Sequence, residues 1–160
     1  MGIKVNIFGK DELVSKYRRI AAQMPTIVTN AMQTQMTQLA DYVRADKLSG
    51  QVLNRRSGTL SRSIFGTASD AGGNVIVGKV GSRGVPYADI WENTGIQAHT
   101  IEALNAKALR FEIGGKVIFA KKVNIPQQMP RPFLRPSLRE NQDKILQALR
   151  SAVVQVMRAS

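Results

Sequence analysis

One periodicity governs everything else in this chain. Leu13, Tyr17, Ile20, Met24, Ile27 and Ala31 recur at intervals of four and three, and Val28, Met32, Met36, Leu39 and Val43 carry the stripe onward. This is the repeat of an amphipathic helix, sustained for roughly 30 residues, well beyond an average helix. The remaining elements must therefore find their core against it. Asp11 is an expected N-cap and Ser49-Gly50 an expected end, giving a helix over 10–48. Pro25 lacks an N–H and crowds the preceding turn, so it is expected to kink or divide that helix. Between Ile20 and Ala40 there is no charge; the outer face holds Gln23, Thr26, Thr29, Asn30, Gln33, Thr34 and Gln35. An exposed helix face normally carries charge. A neutral polar face predicts protein on two sides, with Gln33 and Met36 as candidates for contact between subunits.

The rest of the chain reads as short elements. Ile3, Val5 and Ile7 alternate in an extended segment over 1–9, which Gly9 ends. Ser61–Thr67 and Asn74–Val80 look like two strands joined by Ala68-Ser69-Asp70-Ala71-Gly72-Gly73. Pro86 favours a short helix over 86–92. Leu109, Phe111 and Ile113 alternate with Arg110 and Glu112, Gly114-Gly115 supplies a tight turn, and Val117–Val123 returns, the strongest hairpin signal in the sequence. Pro126, Pro130, Pro132 and Pro136 give an extended proline-rich arm over 126–136 that cannot join a central strand. Leu138, Ile145, Leu149, Val153 and Val156 form the face of a last helix over 137–158. Ser137-Leu138-Arg139-Glu140 matches a capping box, although Pro132 or Pro136 fits its first turn equally. The expectation is one α+β domain over 1–160, with its β region at 58–125 forming a small antiparallel sheet with a hairpin.

Reactive chemistry has little to stand on. There is no cysteine, and His99 is the only histidine, so neither a thiolate site nor a zinc site with several imidazoles fits one chain. Asp89 and Glu92 share a helical face but suit the positive end of that short helix's dipole better than a catalytic pair. Neither a dinucleotide fingerprint nor a Walker pattern is present. The sequence is read as no enzyme, with no cofactor, no metal and no membrane span. What it does carry is charge: 23 Lys+Arg against 11 Asp+Glu, a formal net of +12. Such a surplus favours nucleic acid, an anionic surface or an acidic neighbour. A basic patch is expected at Lys107, Arg110, Lys116, Lys121 and Lys122.

Three stretches in order resemble a known family. Ser57-Gly58-Thr59-Leu60-Ser61-Arg62-Ser63-Ile64 resembles a “G-x-L-x-x-S-I” segment after a long first helix. Pro86-Tyr87-Ala88-Asp89-Ile90-Trp91-Glu92-Asn93-Thr94-Gly95 resembles “Y-A-x-x-x-E-x-G”, here one residue longer before the glycine. Pro130-Arg131-Pro132-Phe133-Leu134-Arg135-Pro136-Ser137-Leu138 resembles “R-P-F-L-x-P-A-L”, with Ser137 in place of Ala. The order and spacing are similar to the tail-completion, or neck, family of long-tailed phages, a group similar to the lambda minor tail protein Z. A sister group of virion morphogenesis proteins in transposing phages shares the Pro-Phe-Leu ending.

The resemblance implies a structural role in the virion, after assembly in the host cytoplasm. Such a protein forms or caps a homo-oligomeric ring around the DNA channel at the head–tail junction. Its implied neighbours are tail-terminator or tail-tube and head-connector proteins, with non-specific contact to passing DNA. Tyr87 and Trp91, together with Arg131, Phe133, Leu134 and Arg135, then become candidate subunit contacts, and the uncharged helix 20–40 or the hairpin 107–123 is expected to supply one contact of the ring. Phe133 and Leu134 equally suit ordinary core packing of the last helix. The alternative is a basic nucleic-acid-binding protein, for which the net charge is the case.

Overall fold

The computed structural model describes residues 9–54, 57–72, 75–104 and 106–159, so the extended segment expected over 1–9 lies, but for Gly9, outside the described residues. The fold is α+β, with a long N-terminal helix, small antiparallel sheets and a C-terminal helix. Where the sequence is read as one domain, the contacts divide the chain into two compact units. One runs to Gly84 and resumes at Phe133; the other is Val85–Pro132. No described helix is long and apolar enough to cross a membrane.

In the first unit α1 spans Lys10–Tyr42 and continues through a wider π-helical segment, Val43–Gln51. Gly9, in the left-handed region at φ 81°, holds the N-cap position expected for Asp11. Asp11 and Glu12 instead fall in the first turn, where the helix dipole favours carboxylates. Pro25 does not divide α1. The missing N–H there leaves one carbonyl of the preceding turn without its helical partner. Gly50, at φ 128°, breaks the helical geometry where Ser49-Gly50 was expected to.

A short helix α2, Thr59–Ser63, precedes strands β1, Ile64–Asp70, and β2, Ile76–Ser82. The expected first strand began earlier, at Ser61. Those residues turn helical because Gly58, at φ 74°, starts a turn, and the Ser63 hydroxyl closes it by donating to the Leu60 carbonyl at 2.7 Å. β1 and β2 pair antiparallel, from Ile64 opposite Ser82 to Asp70 opposite Ile76. The last helix, α4, is Leu134–Ala159; a three-residue α3 lies in the second unit. α4 starts before the expected 137, with Pro136 in its first turn, where a proline lacks only an N–H that has no helical partner anyway. Ser137 is buried and donates to the Phe133 carbonyl, so it does not act as the cap of a capping box.

The core of this unit sits where the stripe predicts. Met36, Leu39 and Ile145 are buried together, with Met32, Tyr42, Val80 and Leu149 packed around them. Glu140 bonds Tyr42 and Lys47, while Ile145 meets Met36 and Leu39, so α4 runs antiparallel to α1. β1 approaches α1 so closely that a Cβ on Gly66 would lie 2.1 Å from the Met36 carbonyl oxygen. The neutral helix therefore does have protein on two sides, but that protein is its own strands and its own α4.

A charged cluster ties the helix ends together. Lys47, only 9% exposed, donates to Glu140 at 2.8 Å and 3.0 Å and lies 3.2 Å from Asp46. Tyr42 donates its hydroxyl to Glu140 at 2.7 Å. The ammonium of Lys47 and then the Tyr42 hydroxyl hold the Glu140 carboxyl below its usual range. Tyr42, and after it Lys47, lowers Asp46, while Glu140 raises Lys47. Depressed carboxylates stabilise the fold above the ordinary carboxylate range, and that contribution is lost as the pH falls through their lowered folded values. The raised Lys47 contributes fully below the ordinary lysine range and loses its effect only as the pH rises past its raised value. Glu140→Gln should therefore lower stability at neutral pH and flatten its decline towards acid. Urea midpoints measured between about pH 3 and pH 7 would show this; parallel curves for the two proteins would refute it.

In the second unit Pro86 caps α3, Tyr87–Asp89, which widens into a π-helical turn, Ile90–Thr94. The Gly95 N–H donates to the Ile90 carbonyl, five residues back, at 2.6 Å. Four strands follow: β3 His99–Glu102, β4 Leu109–Ile113, β5 Lys116–Ala120 and β6 Lys122–Ile125. β4 and β5 are the expected hairpin, turning at Gly114 and Gly115, whose φ of 56° and 78° suit a tight two-residue turn. The expected return strand to Val123 is split. β6 leaves the hairpin after Lys121 and pairs with β3, from His99 opposite Ile125 to Glu102 opposite Lys122.

Candidate interaction surface

The four strands of the second unit make two antiparallel pairs that follow one another along an arm, β3 with β6 and then β4 with β5. Its base is the Ile96–Gln128 bridge, bonded in both directions at 2.9 Å and 2.8 Å. β3 and β6 continue that register, and the Ala103 N–H still reaches the Lys121 carbonyl at 3.0 Å. Beyond Lys121 the register shifts: Glu102 stands opposite Lys122, but Leu109 stands opposite Ala120, where β4 and β5 begin to pair. The arm is rooted at Gly95, where a Cβ would lie 2.2 Å from the Gln128 carbonyl oxygen. Beside it the Arg131 N–H donates to the Trp91 carbonyl at 2.8 Å, and the Arg131 guanidinium lies over the Trp91 ring, 5.8 Å from its centre. These two candidates thus brace each other at the root.

Cross-strand partners share a face, so the register sorts the distal arm. Leu109, Phe111, Ile113, Lys116, Ile118 and Ala120 face one way; Arg110, Glu112, Val117 and Phe119 face the other. Ile113 is 61% exposed and Phe119 65%, and Val117 and Ile118 are exposed as well. Both faces of the ribbon therefore show large apolar side chains to solvent. Near the base one face is polar and self-satisfied. Thr100 donates to Asn124 at 2.9 Å, and Lys122 pairs with Glu102 at 3.0 Å.

The expected basic patch is only partly assembled. Lys107, Arg110, Lys116, Lys121 and Lys122 are all exposed. Strand alternation puts Arg110 and Lys116 on opposite faces, and Glu102 occupies Lys122. Among the subunit-contact candidates, Tyr87 is exposed, but Gln33 and Met36 serve the core instead. Gln33 donates to the Gly66 carbonyl at 3.1 Å and accepts from the Ala68 N–H at 2.8 Å, closing the outer edge of β1. Phe133 is 0% exposed. Its residue type and its place at the entry to α4 favour burial, and it offers no surface to a neighbour. Leu134 and Arg135 join Met36, Leu39, Gly78, Val80 and Leu138 around a shallow apolar groove of about 210 Å³ on the first unit. His99 is exposed, with its Nδ1 2.9 Å from the Gln97 carbonyl oxygen. Among the described residues no group of three His, Cys, Asp or Glu side chains is arranged to hold a metal. The hairpin 107–123 was expected to supply a contact, and its cations were the residues singled out; the exposed apolar residues at its tip, Ile113 to Phe119, are what the structure adds, and their alternation was the available signal.

Comparison with family models, with curated proteins and with solved structures gave no match.

Proposed function

We propose that this chain is a structural subunit of a phage head–tail junction, a tail-completion or neck protein that forms or caps a ring around the DNA channel. Two lines support the reading: the resemblance of three ordered segments, and the arm. The arm carries the weight. A two-stranded ribbon is marginal in water by itself, and this one displays Phe119 and Val117 on one face and Ile113 and Ile118 on the other. Ring subunits meet two neighbours through two different patches, and a ribbon with two apolar faces fits that need. Arg110, Lys116 and Lys121 along the arm suit acidic protein neighbours and discourage edge-to-edge pairing of like arms.

The test is oligomeric state. The wild-type protein should form closed rings by mass photometry and negative-stain imaging. Phe119→Ser on one face, or Ile113→Ser on the other, should give monomers with unchanged circular dichroism. A wild-type monomer at every accessible concentration, or rings indifferent to both substitutions, would argue against this reading. Sub-micromolar DNA binding that collapses with added salt would favour the nucleic-acid alternative instead.

A further inference from the structure

The two edges of the β1–β2 pair are treated differently. Along β1, side chains of the long helix satisfy the outward backbone groups: Gln33 bonds the Gly66 carbonyl and the Ala68 N–H, and Arg44 donates to the Ile64 carbonyl. Those bonds fix the parity of the pair. Backbone groups of an antiparallel strand alternate between its partner and its open side, so Ile64, Gly66 and Ala68 point away from β2. Their cross-strand neighbours Ser82, Val80 and Gly78 therefore turn their N–H and C=O groups away from β1. Among the described residues no strand pairs with that second edge, and no group bonds the Gly78 or Val80 main chain there. An open edge is a template for another strand, and natural sheets blunt it with charge or cover. β2 carries one charge, Lys79, and alternation puts it on the opposite face from Gly78 and Val80.

Gly78 and Val80 also form one wall of the apolar groove on the first unit, with Met36 and Leu39 as its floor and Leu134 and Leu138 across it. A strand laid beside β2 gains main-chain hydrogen bonds at its edge and apolar contact beneath. At about 210 Å³ the groove has room for a phenyl ring, since a cavity of about 150 Å³ holds benzene.

We propose that this edge is a strand-addition site, and that its occupant is β5 from the arm of a second copy, with Phe119 in the groove. Unpaired main-chain donors and acceptors select an extended chain over a helix. The apolar floor selects β5. Val117 and Phe119 share one of its faces, both exposed, and β5 pairs only with β4 among the described residues, so its own second edge is open. β3 and β6 have open edges too, but neither carries a phenyl ring. Arm against arm would set cations beside cations, whereas β2 meets the arm with its single lysine on the far face. The contact joins two different patches, as a closed ring requires. The inference rests on the ring reading and names the surface that receives the arm.

The experiment compares assembled full chain with the Phe119→Ser variant by residue-resolved amide exchange. On assembly the Gly78 and Val80 amides should slow at least about 100-fold. Val77 and Lys79, already bonded to β1, should change little. A second measurement identifies the occupant in intact rings. Phe119→p-benzoylphenylalanine keeps an aromatic ring, and irradiation of rings mixed from isotopically light and heavy chains should link it to Met36, Leu39 or Gly78–Val80 of another copy. Rings that Phe119→Ser leaves intact, or rings whose Gly78 and Val80 amides exchange as fast as in the dissociated chain, would overturn the inference and leave the ring reading standing. Links that fall within one chain, or on other surfaces of its neighbour, would do the same. A protein that forms no rings at any accessible concentration would overturn both.

Discussion

Gly66→Ala should destabilise the first unit by about 3 kcal/mol or more, as overpacking against an unyielding neighbour does. For a chain of this size that is a fall in melting temperature on the order of 10 °C. The new methyl would lie 2.1 Å from the Met36 carbonyl oxygen and 2.4 Å from its carbonyl carbon. Those atoms belong to the backbone of α1, so β1 and the helix must separate. Separation would also stretch the two bonds that Gln33 makes to Gly66 and Ala68. Gly78→Ala is the control. Its methyl would meet the sulfurs of Met32 and Met36 at 2.7 Å and 2.8 Å, and flexible thioether side chains can move aside. Thermal melts of the two variants should differ widely; equal losses would mean that the close strand–helix approach has been misjudged.

Gly95→Ala should be comparably damaging in the second unit, for two reasons that add. Its φ of 70° lies where a side chain is strained, and its Cβ would stand 2.2 Å from the Gln128 carbonyl oxygen and 2.8 Å from the Pro130 nitrogen. The Ile96–Gln128 bridge and the Arg131–Trp91 backbone bond should both be lost. Amide hydrogen exchange reads this directly: protection of the Ile96, Gln128 and Arg131 N–H groups should fall at least about 100-fold, the equivalent of roughly 3 kcal/mol. Retained protection at those amides would remove Gly95 as the root of the arm.

The elements with a clear period were legible in the sequence. The stripe from Leu13 to Val43 and the alternation around Gly114-Gly115 are local patterns, and both elements form where expected. What was not legible depends on pairing at a distance. His99-Thr100-Ile101-Glu102 has too few apolar residues to announce a strand, and it becomes one only because Lys122–Ile125 lies alongside. The same pairing cuts the expected return strand at Lys121. Ser137-Leu138-Arg139-Glu140 suggested a helix beginning at 137, but Pro136 sits in its first turn, as the sequence also allowed, because a proline there costs the helix nothing. Polar residues misled most. Gln33 looked like a surface residue awaiting a neighbour and is instead the clamp on β1. Lys47 gave no sign that Glu140, far along the chain, would hold it nearly buried. The candidate surface was half visible: the hairpin and its cations were read, but which apolar residues it leaves uncovered is a matter of which strands stack on it, and none does among the described residues.

The same arithmetic changes the meaning of the charge. A net of +12 invited a single basic patch, whereas the arm spreads its cations over two faces and pairs one of them. The first turns of α1 hold a second set, Lys10, Lys16, Arg18 and Arg19, beside Asp11 and Glu12.

The central claim is that this chain closes the junction between head and tail. Negative-stain imaging of particles made by the encoding phage without this protein tests it most directly. The account predicts filled heads and finished tails that fail to join, with infectivity restored by the wild-type chain but not by Phe119→Ser. Complete, infectious head–tail joints in its absence would contradict it.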